Sequence, residues 1–238
     1  MNYENLCVDL PLDMVNGCKY CSFHKEIAEI LDDNSFEQLS VNHAIVSFVK
    51  GDSIIKQGAL STNVVFLRKG LVKIHIAGPS REQIVRLVKA PTYLGLPTTL
   101  GDKINQYSVS AVSDVEVCFI DIHTFQDLLQ KNPTFAYQII LQLCQNDIES
   151  YQRCASRAQK QSRGNLADVL LELSDNIFES DSFTFPVSQT ELGCLIDSSR
   201  ESISRFLGEF DKDGIISLNG KQITILNKKM LQLISTNG

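Results

Sequence analysis

Residues 187–210 read VSQTELGCLIDSSRESISRFLGEF, two short helical patterns joined by a tight turn. Ser188 and Glu191 have the spacing of a capping box, and Leu192 with Leu195 supplies the buried face of a first helix. Ser198 or Ser199 caps the second helix. Asp197 falls where the chain needs a left-handed backbone, which Gly meets best and Asp tolerates. Gly193 leaves room for the two helices to cross closely. In the second helix Ile203, Phe206 and Phe210 face inward, which puts Arg200, Glu201, Ser204 and Arg205 on the outward arc. An Arg fork matches the O6 and N7 acceptors of guanine, a Glu carboxylate accepts from the N4 amine of cytosine, and a Ser hydroxyl serves either sense. The arc therefore suits the major groove of sites containing G·C pairs. Its plainer alternative is a solvated face on which Glu201 pairs with Arg205 at i, i+4.

Downstream, Asp213-Gly214 ends the helix, 215–218 reads as a strand, Asn219-Gly220 as a type I′ turn, and 222–226 as the returning strand. A helix pair followed by a two-stranded wing is a winged helix-turn-helix. Residues 186–226 resemble the DNA-binding domain of the CRP/FNR family of bacterial regulators. The run Ser199-Arg200-Glu201-Ser202-Ile203-Ser204-Arg205 carries the match, with Glu191-Leu192-Gly193 before it and Asp213-Gly214-Ile215-Ile216 and Gly220-Lys221 after it. The resemblance implies that Arg200, Glu201 and Arg205 read bases, with Ser204 a further candidate. It makes Ser188, Ser199, Ser202, Asn219 and Lys221 phosphate contacts, which position the protein without reading sequence.

Upstream, residues 43–121 hold short β-branched runs at 44–49, 64–68, 71–76, 83–88, 107–112 and 115–120, with Gly51, Gly58, Gly70, Gly78 and Gly95 between them. Such spacing indicates a sandwich or barrel-like roll. The order of Lys50-Gly51-Asp52, Gln57-Gly58-Ala59, Lys69-Gly70-Leu71-Val72-Lys73 and Tyr93-Leu94-Gly95 is similar to the cyclic-nucleotide-binding β-roll of the same family. The segment from Asn132-Pro133 to about Gln161 contains no internal Gly or Pro. Ile139, Ile140, Leu143, Ile148 and Tyr151, extended by Cys154, form an apolar stripe along it. The resemblance implies that this helix pairs with its twin, with Ile140, Leu143 and Tyr151 at the contact and two DNA half-sites bound by the dimer. Arg163-Gly164 reads as a hinge, and 165–178 as a helix packed under the DNA-binding unit. The fold class is α+β: an N-terminal helical, Cys-containing segment (1–35), an antiparallel sensory β-roll (36–130), a dimerisation helix (131–162) and a winged helix-turn-helix (163–238).

The 238 residues suffice for two cores and a linking helix. No apolar run has the length of a membrane span, and the first thirty residues carry no signal-type pattern, so the expectation is a cytoplasmic protein that avoids membranes. The net charge of −6 is awkward for a DNA binder. Residues 163–238 hold seven Lys and Arg against eleven Asp and Glu. DNA contact must then rest on a local patch, Arg200, Arg205, Lys212 and Lys221, with Asp175, Glu179 and Asp181 turned away.

The signal is less legible. Cyclic-AMP-binding relatives hold the phosphate with a Gly-Glu pair and an Arg, whereas here Gly95 precedes Leu96-Pro97 and the downstream stretch is Asn105-Gln106-Tyr107-Ser108. Cyclic AMP is therefore not the expected ligand. Cys7, Cys18, Cys21 and Cys118 form an alternative sensor set. Cys18 and Cys21 are a Cys-x2-Cys, and Cys118 falls where the FNR-type oxygen sensor has its distant ligand, so the resemblance leaves an iron-sulfur cluster open. Ten residues separate Cys7 from Cys18, which departs from that family's tight cluster. Cys144 and Cys194 read as small buried hydrophobes. His24, His43, His75 and His123 are scattered, with no catalytic constellation, and neither a cupin-like metal enzyme nor a stand-alone ligand-binding module accounts for the C-terminal seventy residues. The expected protein is a regulator without catalytic residues, a homodimer on a palindromic double-stranded DNA operator, with RNA polymerase as a partner if it activates.

Overall fold

The computed structural model describes Leu31 and residues 33–238. It comprises two compact units, one of residues up to Val72 with Lys89–Gln145 and the other of Lys73–Val88 with Asn146–Gly238.

The first begins with α1 (Asp33–Val41) and the strands β1 (His43–Phe48), β2 (Ser53–Ile55) and β3 (Asn63–Lys69). In β3 Val64, Val65, Phe66 and Leu67 are all buried, the signature of a strand covered on both faces. β4 (Leu71–Ala77) and β5 (Glu82–Lys89) form a hairpin, followed by β6 (Thr92–Leu94), α2 (Leu96–Leu100), β7 (Ser108–Ala111) and β8 (Val115–Asp121). The strands make two four-stranded sheets in the orders β1-β8-β3-β6 and β2-β7-β4-β5. β8 pairs antiparallel with β1 and with β3. Gly70 turns β3 into β4 with φ +94, and a Cβ there would collide with the Asp114 carbonyl.

β2, β6 and α2 were not among the elements expected from the sequence, because runs of three to five residues are too short to show a period; the nine-residue α1 straddles the boundary at residue 35 expected between the N-terminal segment and the β-roll. Also unexpected was α3 (Ile122–Lys131), which begins directly after β8 with Asp121 as its N-cap, accepting from the Thr124 N–H at 2.8 Å. Phe125 and Leu128 of α3, Phe135 and Ile139 of the next helix, and Phe66 and Tyr93 of the sheet share one core. Its aromatic rings meet edge to face in sequence: Phe66–Tyr93 at 5.0 Å, Tyr93–Phe125 at 5.7 Å and Phe125–Phe135 at 5.5 Å between centroids.

The expected long helix is present as α4 (Pro133–Gln159). Beyond it α5 (Ser162–Glu172) runs into a π-helical turn (Leu173–Ile177). Arg153 bonds Glu149 at 3.1 Å and Glu172 at 3.3 Å, and Lys160 bonds Asp168 at 2.6 Å, so α4 and α5 are laced by ion pairs. The hinge expected at Arg163-Gly164 is not there. Both residues lie inside the first turn of α5, and the break falls before it, between Gln159 and Ser162. Gly164 is a glycine for a packing reason: a Cβ would come within 2.9 Å of the Gly238 backbone. Gly238 is the C-cap of α8 (Lys228–Asn237), a helix the sequence reading did not resolve.

The C-terminal unit continues with β9 (Ser182–Thr184), α6 (Gln189–Ile196), α7 (Arg200–Lys212), β10 (Ile216–Asn219) and β11 (Gln222–Ile225). The wing is three-stranded, in the order β10-β11-β9. Its turn sits one residue later than the sequence suggested, because Asn219 pairs with Gln222 and leaves Gly220-Lys221 as the two-residue loop. Gly220 has φ +62 while neither Asn219 nor Lys221 has positive φ, as in a type II′ turn rather than type I′. Leu192, Leu195, Ile196, Ile203, Leu207 and Phe210 fill the interior. Phe206, expected inside, is only half-buried.

Candidate nucleic-acid interface

The helix pair forms because both N-termini are capped by their own serines. Ser188 Oγ accepts from the Glu191 N–H at 3.2 Å, while the Glu191 carboxylate accepts from the Ser188 N–H at 2.9 Å, a complete capping box. Ser199 Oγ accepts from the Ser202 N–H at 3.1 Å and donates to Ser202 Oγ at 3.2 Å. Between them Asp197 adopts φ 58, ψ 48, the left-handed conformation expected for it. Gly193 lies where a Cβ would press on the Ser198 carbonyl, which is why the turn can close so tightly. Replacing Ser188 by Ala should cost about 1 kcal/mol of stability. A denaturant titration of the full chain checks this, and no shift of midpoint would mean that the box does not stabilise the fold.

Arg200, Glu201, Ser204 and Arg205 are all exposed on one arc of α7, with Ile203, Leu207 and Phe210 buried behind them. Arg205 does not pair with Glu201. Its guanidinium lies 4.9 Å from the centre of the Phe206 ring, and its Nε is 3.9 Å from Glu209. The Glu201 carboxylate is held below its ordinary range, first by its own backbone N–H, then by the Ser199 hydroxyl, with Arg200 adding to the effect. It is thus ionised at neutral pH, the state in which a carboxylate accepts from an amine. Asn219 and Lys221 are exposed at the tip of the wing. Ser188, Ser199 and Ser202, the remaining expected phosphate contacts, have hydroxyls already engaged in capping. Beside them lie the N-termini of α6 and α7, the ends of a helix that suit an anion.

Arg200, Arg205, Lys212 and Lys221 are exposed, while Asp175 and Asp181 are occupied by Lys228, which lies 3.1 Å from Asp181. The Asp181 carboxyl is held low, chiefly by its hydrogen bond from Lys228 and then by Ser174. Lys228, on α8, is a residue whose part in this neutralisation has no signal in the sequence.

The expected dimer residues divide. Ile140 is 53 % exposed and Tyr151 68 %. Leu143 is half-buried and packs against the core of its own unit, so it does not share the free face. The free face is instead Tyr137, Leu141, Cys144, Ile148, Tyr151 and Ala155, all exposed and spaced alternately four and three residues apart. That alternation is the spacing a coiled-coil seam requires. Cys144, expected as a buried filler, is therefore on the surface, and Cys194 is half-buried.

In the β-roll, Gly95 takes φ +75 at the start of α2. Thr98 Oγ donates to the Gly95 carbonyl at 2.8 Å and reaches Asn105 Oδ1 at 3.4 Å, and Thr99 Oγ meets Ser61 Oγ at 2.7 Å. Thr98, Thr99 and Asn105 are buried, so the segment that corresponds to a phosphate cradle directs its polar groups at its own backbone and side chains. Cys118 is buried in the apolar core beside Val64, Phe66 and Ile120, as a small hydrophobe would be. Cys7, Cys18 and Cys21 lie outside the described residues. Among the described residues no three His, Cys, Asp or Glu side chains group as metal ligands would, and no helix is long and apolar enough to cross a membrane.

Comparison with known proteins agrees with both halves of this description. The family model of the cyclic nucleotide-binding domain matches residues 45–132, and that of the Crp-like helix-turn-helix domain matches residues 164–234. The fumarate and nitrate reduction regulatory protein of Vibrio cholerae is 28 % identical over 218 residues, covering 88 % of this chain and 86 % of the relative. The anaerobic regulatory protein of Aggregatibacter actinomycetemcomitans is 27 % identical, covering 93 % and 88 %. Among solved structures, FixK2 from Bradyrhizobium japonicum superposes with a TM-score of 0.75 at 17 % identity, over 82 % of this chain and 98 % of that one. A mutant of CooA from Carboxydothermus hydrogenoformans gives 0.69 at 15 % identity, over 89 % and 94 %.

Proposed function

The chain belongs to the CRP/FNR family of transcription regulators, and on that premise we propose that it binds a palindromic operator as a homodimer, reading each half-site with Arg200, Glu201, Ser204 and Arg205. The observation that carries this reading is the exposed arc of α7, two Arg, a Glu held ionised and a Ser, on a helix buried behind that arc. The wing residues Asn219 and Lys221 and the N-termini of α6 and α7 meet phosphates, which sets register without choosing sequence. The fold and its relatives leave the enzyme alternative without support, because this is a family of regulators.

The dimer forms through the seam Tyr137-Leu141-Cys144-Ile148-Tyr151-Ala155 of α4 against the same seam of a second copy, with Ile140 at its flank. Two-fold symmetry then presents two recognition helices to two half-sites about one DNA turn apart.

The β-roll receives a signal other than cyclic AMP. A cyclic phosphate entering beside Gly95 would meet Leu96, Pro97 and two threonines already hydrogen-bonded within the fold, where the cyclic-AMP-binding relatives carry a Glu and an Arg. Calorimetric titration of the full chain with cyclic AMP is expected to give no heat of binding, and operator affinity is expected to stay the same with and without it. A micromolar isotherm would contradict this. Of the four cysteines only Cys118 lies among the described residues, and no step of the mechanism is routed through a cluster.

A further inference from the structure

We propose that the β4–β5 hairpin is a latch on α6 that competes with the DNA backbone for the N-terminal end of that helix. The inference rests on the reading of α6 and α7 as the DNA-docking pair. The hairpin residues Lys73–Val88 fall in the same compact unit as the helix pair, and they grip α6 at both ends.

At the N-terminal end, Lys73 Nζ donates to Glu191 at 2.8 Å and lies 3.4 Å from Glu82, so one ammonium is shared by two carboxylates. His75 Nδ1 is 2.9 Å from the other oxygen of Glu82. At the C-terminal end, Arg81 from the hairpin tip bonds the carboxylate of Asp197. Gln83 Nε2 donates to the Cys194 carbonyl, one of the acceptors that the last turn of a helix leaves without an internal partner.

These contacts are charged and polar, and the Arg81–Asp197 pair is largely exposed, with side chains 44 % and 73 % accessible. Exposed ion pairs of that kind contribute little, whereas the Lys73 side chain is only 16 % accessible. The Arg81 end of the grip is therefore the weaker one, suited to opening first. The place of the grip decides what it competes with. The Glu191 carboxylate held by Lys73 is the same one that accepts from the Ser188 N–H in the capping box. In a helix-turn-helix the first helix crosses the DNA backbone, and its N-terminal N–H groups are the natural seat for a phosphate. With the hairpin in place, that seat carries Glu82 as well as Glu191 around a single ammonium. Burial holds the His75 imidazole below its usual range, which keeps it neutral and leaves the Glu82 charge uncancelled from that side. A phosphate and the latched hairpin therefore exclude each other.

The test uses the full chain and an operator selected from random duplex DNA. Removing two cations from a DNA-binding protein ordinarily weakens binding. Here Lys73→Ala/Arg81→Ala is expected to bind the operator about three- to tenfold more tightly, with unchanged base preference, and Gln83→Ala to move in the same direction. Hydrogen exchange supplies the second reading. Amides of the hairpin tip should exchange faster in the wild-type protein once operator is added, and equally fast in the double variant without DNA. Operator affinity unchanged or weakened in the double variant, or hairpin protection that is unmoved by operator, overturns the latch while leaving the DNA reading intact. A wild-type chain that selects no operator overturns the DNA reading, and the latch with it.

Discussion

Leu141→Glu combined with Ile148→Glu is expected to turn the dimer into a folded monomer and to lower operator affinity about a hundredfold to ten-thousandfold, the range lost when two linked binding events become one. Leu141 is 44 % exposed and Ile148 50 %, so neither contributes much to the core of its own chain. Across a two-fold axis each substitution appears twice, which sets like carboxylates face to face in a seam from which water is excluded. A single half-site is held by one recognition helix and a patch of four cations on a chain of net charge −6, too little to survive loss of the partner. Sedimentation equilibrium and a gel shift with selected operator measure the two effects, and circular dichroism confirms the fold. Leu143→Glu is the contrasting variant. Leu143 packs against the interior that contains Phe125 and Phe135, so a charge there should unfold the N-terminal unit rather than separate intact subunits. A double variant that stayed dimeric and bound normally would place the subunit contact elsewhere.

Arg200→Ala and Arg205→Ala should each cost about 1–3 kcal/mol of operator binding and relax preference at one G·C pair per half-site. Both side chains are exposed and neither supports the core, so the loss is read in binding and not in stability. Arg205 must leave the Phe206 face and Glu209 to reach a base, which puts its effect toward the lower end of that range. Lys221→Ala, at the tip of the wing, should weaken all sequences about equally and flatten the salt dependence by about one ion. Retention of base preference by both Arg variants would remove α7 from the reading role.

The helix-turn-helix was legible because its devices are local. A capping box, a left-handed Asp and an inward apolar stripe all act within a few residues, and each is present at Ser188, Asp197 and Ile203. The β-roll was legible in outline for the same reason, since the strand period and turn glycines are short-range. What escaped depends on distance. Leu143 looks like its stripe neighbours until α3 and the sheet supply the surface it packs on. Gly164 reads as a hinge until Gly238, at the far end of the chain, comes against it. Nothing near Lys73 or Arg81 in sequence announces Glu191 or Asp197 as partners, more than a hundred residues away. The wing turn slipped by one residue because Asn-Gly and Gly-Lys both satisfy hairpin chemistry, and strand register decided between them.

Selection of binding sites from a random duplex library, using the full-length chain, tests the central claim most directly. The account predicts enrichment of a two-fold symmetric site whose half-sites lie about one helical turn apart, each containing G·C pairs at which preference is lost in Arg200→Ala or Arg205→Ala. Enrichment of no sequence, or of an asymmetric site indifferent to both substitutions, would contradict it.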